Sequence, residues 1–193
     1  MRRISAWFVP AAAGLVCLVI SLAGERGRVL LRYDREAIAD GEAWRLLTGH
    51  FTHLGITHML LNVAGLLLVW LLVGLRCSSR QWILIALMTI AGINSGFWFI
   101  DLQLKWYVGL SGLLHGLLVA GALAGMARVR TESLIILAAV GLKLVWEQLA
   151  GPLPGSEASA GGNVIVNAHL YGALAGAAAA AFIGHSARST PAI

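Results

Sequence analysis

One serine and several histidines stand where this 193-residue chain is otherwise apolar. Ser111 lies in Val108-Gly-Leu-Ser-Gly-Leu-Leu-His-Gly116, with His115 one helical turn further on; His169 opens a later apolar run, and His58 and Asn62 open an earlier one. A hydroxyl held beside an imidazole can be deprotonated as it attacks a carbonyl, which makes Ser111 and His169 a candidate nucleophile and base. Acyl transfer also needs donors aimed at the developing oxyanion. The amide of Asn62, a ring N–H of His58 and the backbone N–H of Ser111 at a helix start are suited to that task.

These residues must be positioned by elements that live in lipid. The chain is 59% hydrophobic and 12% charged, with a mean hydropathy of +0.81; a soluble domain of this length needs more charge to cover its surface. The net charge of +5 is scattered between apolar runs and forms no basic face or tail, so nucleic acid is not an expected partner. Cys17 and Cys77 have neither zinc-site nor disulfide-framework spacing. A crossing helix needs about 20 apolar residues, and six runs qualify: 7 to 23, 55 to 75, 82 to 100, 109 to 127, 132 to 150 and 167 to 184. The first exceeds the roughly 7–15 residues of a signal-peptide core and is expected to be retained. Arg2, Arg3, Arg76, Arg80, Arg128, Arg130 and Arg188 fall on one side of an alternating topology. That side is expected to be cytoplasmic, with both termini on it.

This topology brings His58, Asn62, Ser111 and His169, from three spans, to one level near the outer face. Small residues say which spans touch. Gly112, Gly116, Ala120 and Ala124 recur every four residues in the fourth span, as do Ala168, Gly172, Gly176, Ala180 and Gly184 in the sixth. Such stripes let helices approach closely in lipid. Both spans run inward, so close packing would draw Ser111 and His169 together. The segment 24 to 54 mixes charges with Trp44, Leu46, Leu47 and Phe51 and reads as an outer loop lying in the interface. The loop Gly151–Gly162 is expected to be flexible, and the tail 185–193 to be a disordered cytoplasmic end of a single domain.

His58-x-x-x-Asn62, Gly109-Leu-Ser111-Gly112 and Ala168-His169-Leu-Tyr-Gly172-x-x-x-Gly176 together resemble the signature set of the rhomboid intramembrane serine proteases, and Trp44-Arg45 matches that family's first-loop pattern. The resemblance covers roughly residues 42 to 184. It implies an all-α, six-helix polytopic membrane bundle without a cofactor, Ser111 as nucleophile, His169 as base, and His58 with Asn62 as oxyanion donors. The small size, the Gly-Leu-Ser-Gly-Leu-Leu-His-Gly segment, Trp146-Glu147-Gln148 and the glycine-rich loop resemble the rhombosortase branch. The substrate this implies is the transmembrane C-terminal Gly-Gly-type tail of exported proteins, cut near the outer face of the bacterial inner membrane, with water or an amine as acceptor. Two departures stand out. His115 replaces the family's tyrosine and either packs against His169 or itself acts as base, and Gly74-Leu-Arg-Cys-Ser78 lacks an expected acid.

No carboxylate is evident as a third member beside the serine and histidine. Glu147 and Lys143, one turn apart in the fifth span, either form an ion pair holding the helix or contact substrate between the second and fifth spans. A different class of reading makes His58, His115 and His169 ligands of a haem or metal. Against it, Ser111 and Asn62 would have no task. A rhomboid-like chain that only binds transmembrane helices is a further alternative, disfavoured by retention of both Ser111 and His169.

Overall fold

The computed structural model describes residues 7–189, almost all of them helical or in short connections. Helix α1 (Phe8–Leu22) meets α2 (Gly24–Leu31) at a 118° bend. A segment with two short helices, α3 (Arg35–Ala39) and α4 (Arg45–Thr48), leads to α5 (Ile56–Val73). Then come α6 (Ser79–Phe99), α7 (Ser111–Gly125), α8 (Arg130–Ala150), the short α9 (Ser156–Ala160) and α10 (Val166–Ser189). The result is a polytopic helical membrane bundle, and each of the six apolar runs overlaps one of its long helices.

By length and composition, not every run qualifies as a span by itself. Four helices among the described residues are long and apolar enough: α5 with its continuation to Arg76, α6, α8, and α10 as far as His185. The α1–α2 pair qualifies only when counted as one broken span. The central α7 has 15 residues, about 22 Å at 1.5 Å per residue, short of a roughly 30 Å hydrocarbon core. It starts at Ser111 and not at residue 109. The expected disordered tail is helical from 185 to Ser189, and residues 190–193 lie outside the described part, as do Arg2 and Arg3.

Packing follows the small-residue stripes. Gly112 and Gly116 of α7 meet Gly172 and Gly176 of α10 backbone to backbone: a Cβ added at Gly172 would run into the carbonyl oxygen of Gly112, and one at Gly176 into that of Gly116. On α10's other side Tyr171 lies over Gly96 and Ala175 over Gly92, both on α6. Trp70 and Trp82 pack at 5.2 Å beside α7, and the Trp82 indole donates to the Gly74 carbonyl at 2.8 Å. A capping box, Ser78 with Gln81, starts α6.

The segment 24 to 54 is tied down at the end of the bundle where α5, α7 and α10 begin. Its strand β1 (Tyr33–Asp34) pairs antiparallel with β2 (Trp106–Tyr107), just before α7. Arg35 gathers the carbonyls of Phe97, Trp98, Asp101 and Leu104, satisfying acceptors that the end of α6 leaves free. Arg45 is buried, donating to the carbonyls of Val29 and Arg32 while pairing with Glu42. At the opposite end Arg76 bonds Glu132 and Ser133 of α8, so the acid missing from the 74–78 loop is met by one from another helix.

Candidate active site

Ser111 is the first residue of α7, reached through a sharp turn. Gly109 has φ +130°, a conformation that suits glycine, and a Cβ there would lie 3.2 Å from the His58 ring. The buried Tyr107 hydroxyl secures this turn by donating to the Gly109 carbonyl at 2.5 Å. His169 enters from the first turn of α10, brought close by the glycine contact just described. The Ser111 Oγ and His169 Nε2 atoms stand 2.9 Å apart.

The other side of the His169 ring is occupied by an acid. Nδ1 lies 2.9 Å and 3.1 Å from the two carboxylate oxygens of Glu147. Lys143 Nζ is 2.6 Å from Glu147 Oε1 and 3.3 Å from His169 Nδ1. Glu147 and His169 are buried at 3% and 5% exposure. The sequence made no carboxylate evident beside His169; the structure sets Glu147 there. The Lys143–Glu147 ion pair exists, but the acid's second partner is the imidazole. One signal in the sequence pointed there: Glu147 lies in the last turn of a span that ends at the level where Ser111 and His169 begin theirs.

His115 stacks on His169, with centroids 4.3 Å apart and planes at 19°. It donates Nδ1–H to the Ser111 carbonyl at 2.7 Å. The imidazole within hydrogen-bonding distance of the Ser111 hydroxyl is His169, so His115 has the geometry of a packing ring. His58 Nδ1 accepts from the Leu54 N–H at 3.3 Å, which leaves Nε2 as the ring's N–H donor. Asn62 donates one N–H to the His58 carbonyl at 3.0 Å and has a second. His58, Asn62, Ser111, His115, Lys143, Glu147 and His169 all line one cavity of about 250 Å³.

The cavity is partly roofed by the segment expected to be a flexible loop. Gly155 and Gly161, with φ of +80° and +79°, bracket α9, and Leu153, Ser156, Ala160 and Val164 face the cavity. Glu157 braces the return by accepting from the Val164 N–H at 3.3 Å. The three histidines proposed as metal ligands are not gathered as a set. Among the described residues, the donors close enough to share an ion are His115, Glu147 and His169, all within 4.8 Å.

A helical membrane bundle that sets a half-buried hydroxyl against a buried imidazole, beside donors and a cavity of about 250 Å³, has a layout suited to acyl transfer. The Rhomboid domain family matches residues 40–186, and the chain belongs to that family. It is 32% identical over 116 residues to the rhomboid protease GlpG of Salmonella newport, and equally to that of Salmonella typhimurium. The GlpG of Salmonella choleraesuis is 31% identical over the same length. These alignments cover 58% of this chain, which spans 40% of the length of the curated relatives it matches.

Proposed function

We propose that this chain is an intramembrane serine endopeptidase in which Ser111 attacks a peptide carbonyl and His169 serves as base. The single observation that carries the reading is the 2.9 Å contact between Ser111 Oγ and His169 Nε2. As the Oγ–C bond forms, the hydroxyl proton passes to Nε2 and the carbonyl oxygen takes up negative charge. That oxygen is stabilised by the N–H groups of His58, Asn62 and the Ser111 backbone. The C–N bond then breaks, the Nε2 proton going to the leaving nitrogen. His169 next activates water, or an amine, to release the acyl group from Ser111. Cleavage takes place toward the outer face of the bacterial inner membrane, because Arg76, Arg80, Arg128 and Arg130 lie at the other end of the helices.

The proposed substrate is a transmembrane segment, and within that class the C-terminal Gly-Gly-type tail of exported proteins. The sequence likeness to rhombosortases supports this choice, and a small cavity capped by α9 fits a glycine-bearing scissile region. The broader alternative is a rhomboid protease acting on other transmembrane helices. Purified protein incubated with a fluorophosphonate should be labelled at Ser111, and Ser111→Ala should neither label nor process a reporter carrying the tail. Processing by Ser111→Ala would exclude the nucleophile. Mass spectrometry of the processed reporter's new C-terminus identifies both scissile bond and acceptor; a tail-bearing reporter left intact beside a cleaved general rhomboid substrate selects the broader alternative.

A further inference from the structure

We infer that Glu147 is the third member of a Ser111–His169–Glu147 triad, a positioning residue that acts through His169, with Lys143 paired to one of its carboxylate oxygens. The inference rests on the protease reading above and deepens it.

A serine–histidine pair needs one tautomer: the proton on Nδ1 and the lone pair of Nε2 facing the hydroxyl. Four groups face the His169 ring: Ser111 at Nε2, His115 on one face, and Glu147 and Lys143 at Nδ1. A lysine ammonium carries donors and no acceptor, so it cannot accept a hydrogen bond from Nδ1–H. The carboxylate can, and with oxygens at 2.9 and 3.1 Å it holds the ring in the orientation that sends Nε2 toward Oγ. When the imidazole takes the serine proton, the adjacent carboxylate stabilises the cation inside a poorly solvated site.

Neither sequence-based role for the pair accounts for this placement. In an ion pair serving helix stability, the glutamate is better placed N-terminal to the lysine, and here Lys143 precedes Glu147. A substrate contact requires accessible atoms, yet the Glu147 side chain is 2% exposed whereas that of Lys143 is 30% exposed. A buried acid with a lysine on one oxygen and an imidazole across both is placed to orient the ring.

The test uses the full chain, purified in detergent and reconstituted, with a transmembrane reporter that wild type cleaves. Glu147→Gln should lower kcat by about 10² to 10⁴-fold, the upper end being the loss seen when the acid of a serine-protease triad is neutralised, with KM within about twofold. The acidic limb of the kcat/KM profile should move to lower pH, because the carboxylate that favours protonated His169 is gone. Glu147→Asp, charged but one methylene short, should fall between Gln and wild type by at least about tenfold on each side. Unchanged kcat with an unmoved acidic limb in Glu147→Gln overturns the inference, as does a loss confined to KM. If Glu147→Gln does not accumulate, Glu147→Asp decides, and wild-type kcat in that variant overturns it. Wild-type protein that neither cleaves the reporter nor labels at Ser111 refutes the protease reading first and this inference with it.

Discussion

Asn62 tests the oxyanion assignment at the scale of one side chain. Its amide gives one N–H to the His58 carbonyl and lines the cavity with the rest of the group. Asn62→Ala should reduce reporter cleavage by about 10² to 10³-fold through kcat, the usual loss for a single oxyanion donor. Single-turnover kinetics would show this, and a change in KM alone would remove Asn62 from that role. His115 illustrates how far residue type alone can be read. An imidazole one turn from Ser111 was compatible with either base or packing partner, because the helix angle between it and His169 is not in its own sequence. In the structure it stacks on His169 at 4.3 Å with Nδ1 committed to the Ser111 carbonyl, the geometry of a packing partner.

The decisive element pair is α7 with α10. Backbones approach here because Gly112, Gly116, Gly172 and Gly176 contribute no side-chain bulk. In lipid this packing stands in for the hydrophobic drive that water would supply. Gly172→Val would set its Cβ against the Gly112 carbonyl and force the helices apart. Overpacking of this kind costs about 1–3 kcal/mol, and about 1 Å of misplacement at a reacting pair costs about 10²-fold in rate. The expected outcome is a lower unfolding temperature in detergent together with weak fluorophosphonate labelling of Ser111. Normal labelling of a folded Gly172→Val would show that the pair is positioned by something other than this contact. α9 sits at the same scale. The residues 151–162 read as flexible because glycine and proline dominate them, yet glycines with positive φ at both ends close a short helix over the cavity.

Across the whole molecule, the segment 24 to 54 is anchored by arginines and by two buried histidines, His50 and His53, that precede α5. His50 bonds Asn94 of α6 at 3.2 Å. Burial lowers the pKa of His50 to about 4 and that of His53 to about 3, against about 6.5 when unfolded. Both therefore fold neutral, and the unfolded chain binds more protons between those values. Stability rises with pH in that window, so the two groups destabilise the fold progressively as pH falls from about 6.5 toward 4 and 3. Thermal unfolding followed from pH 7 to 4 should show a falling midpoint. His50→Asn and His53→Asn, taken together, should flatten the slope, and an unaltered slope would discount these groups.

Composition and apolar run length determined a helical membrane bundle by themselves, since lipid tolerates little else. Period-four glycine and alanine pointed to α7 and α10 as close neighbours, because that pattern has a direct packing meaning. Polar residues opening three spans marked a common depth for the same reason that ionisable groups are costly in lipid. The structure alone decided that α7 runs only from Ser111 to Gly125, that 185–189 continues a helix, and that Glu147 turns toward His169. Each depends on how a helix is rotated, tilted or set back against its neighbours, which its own residues do not encode. The angle of α8 about its axis is fixed by contacts with α7 and α10 and by the turn through α9, and that angle determines where a buried carboxylate ends up.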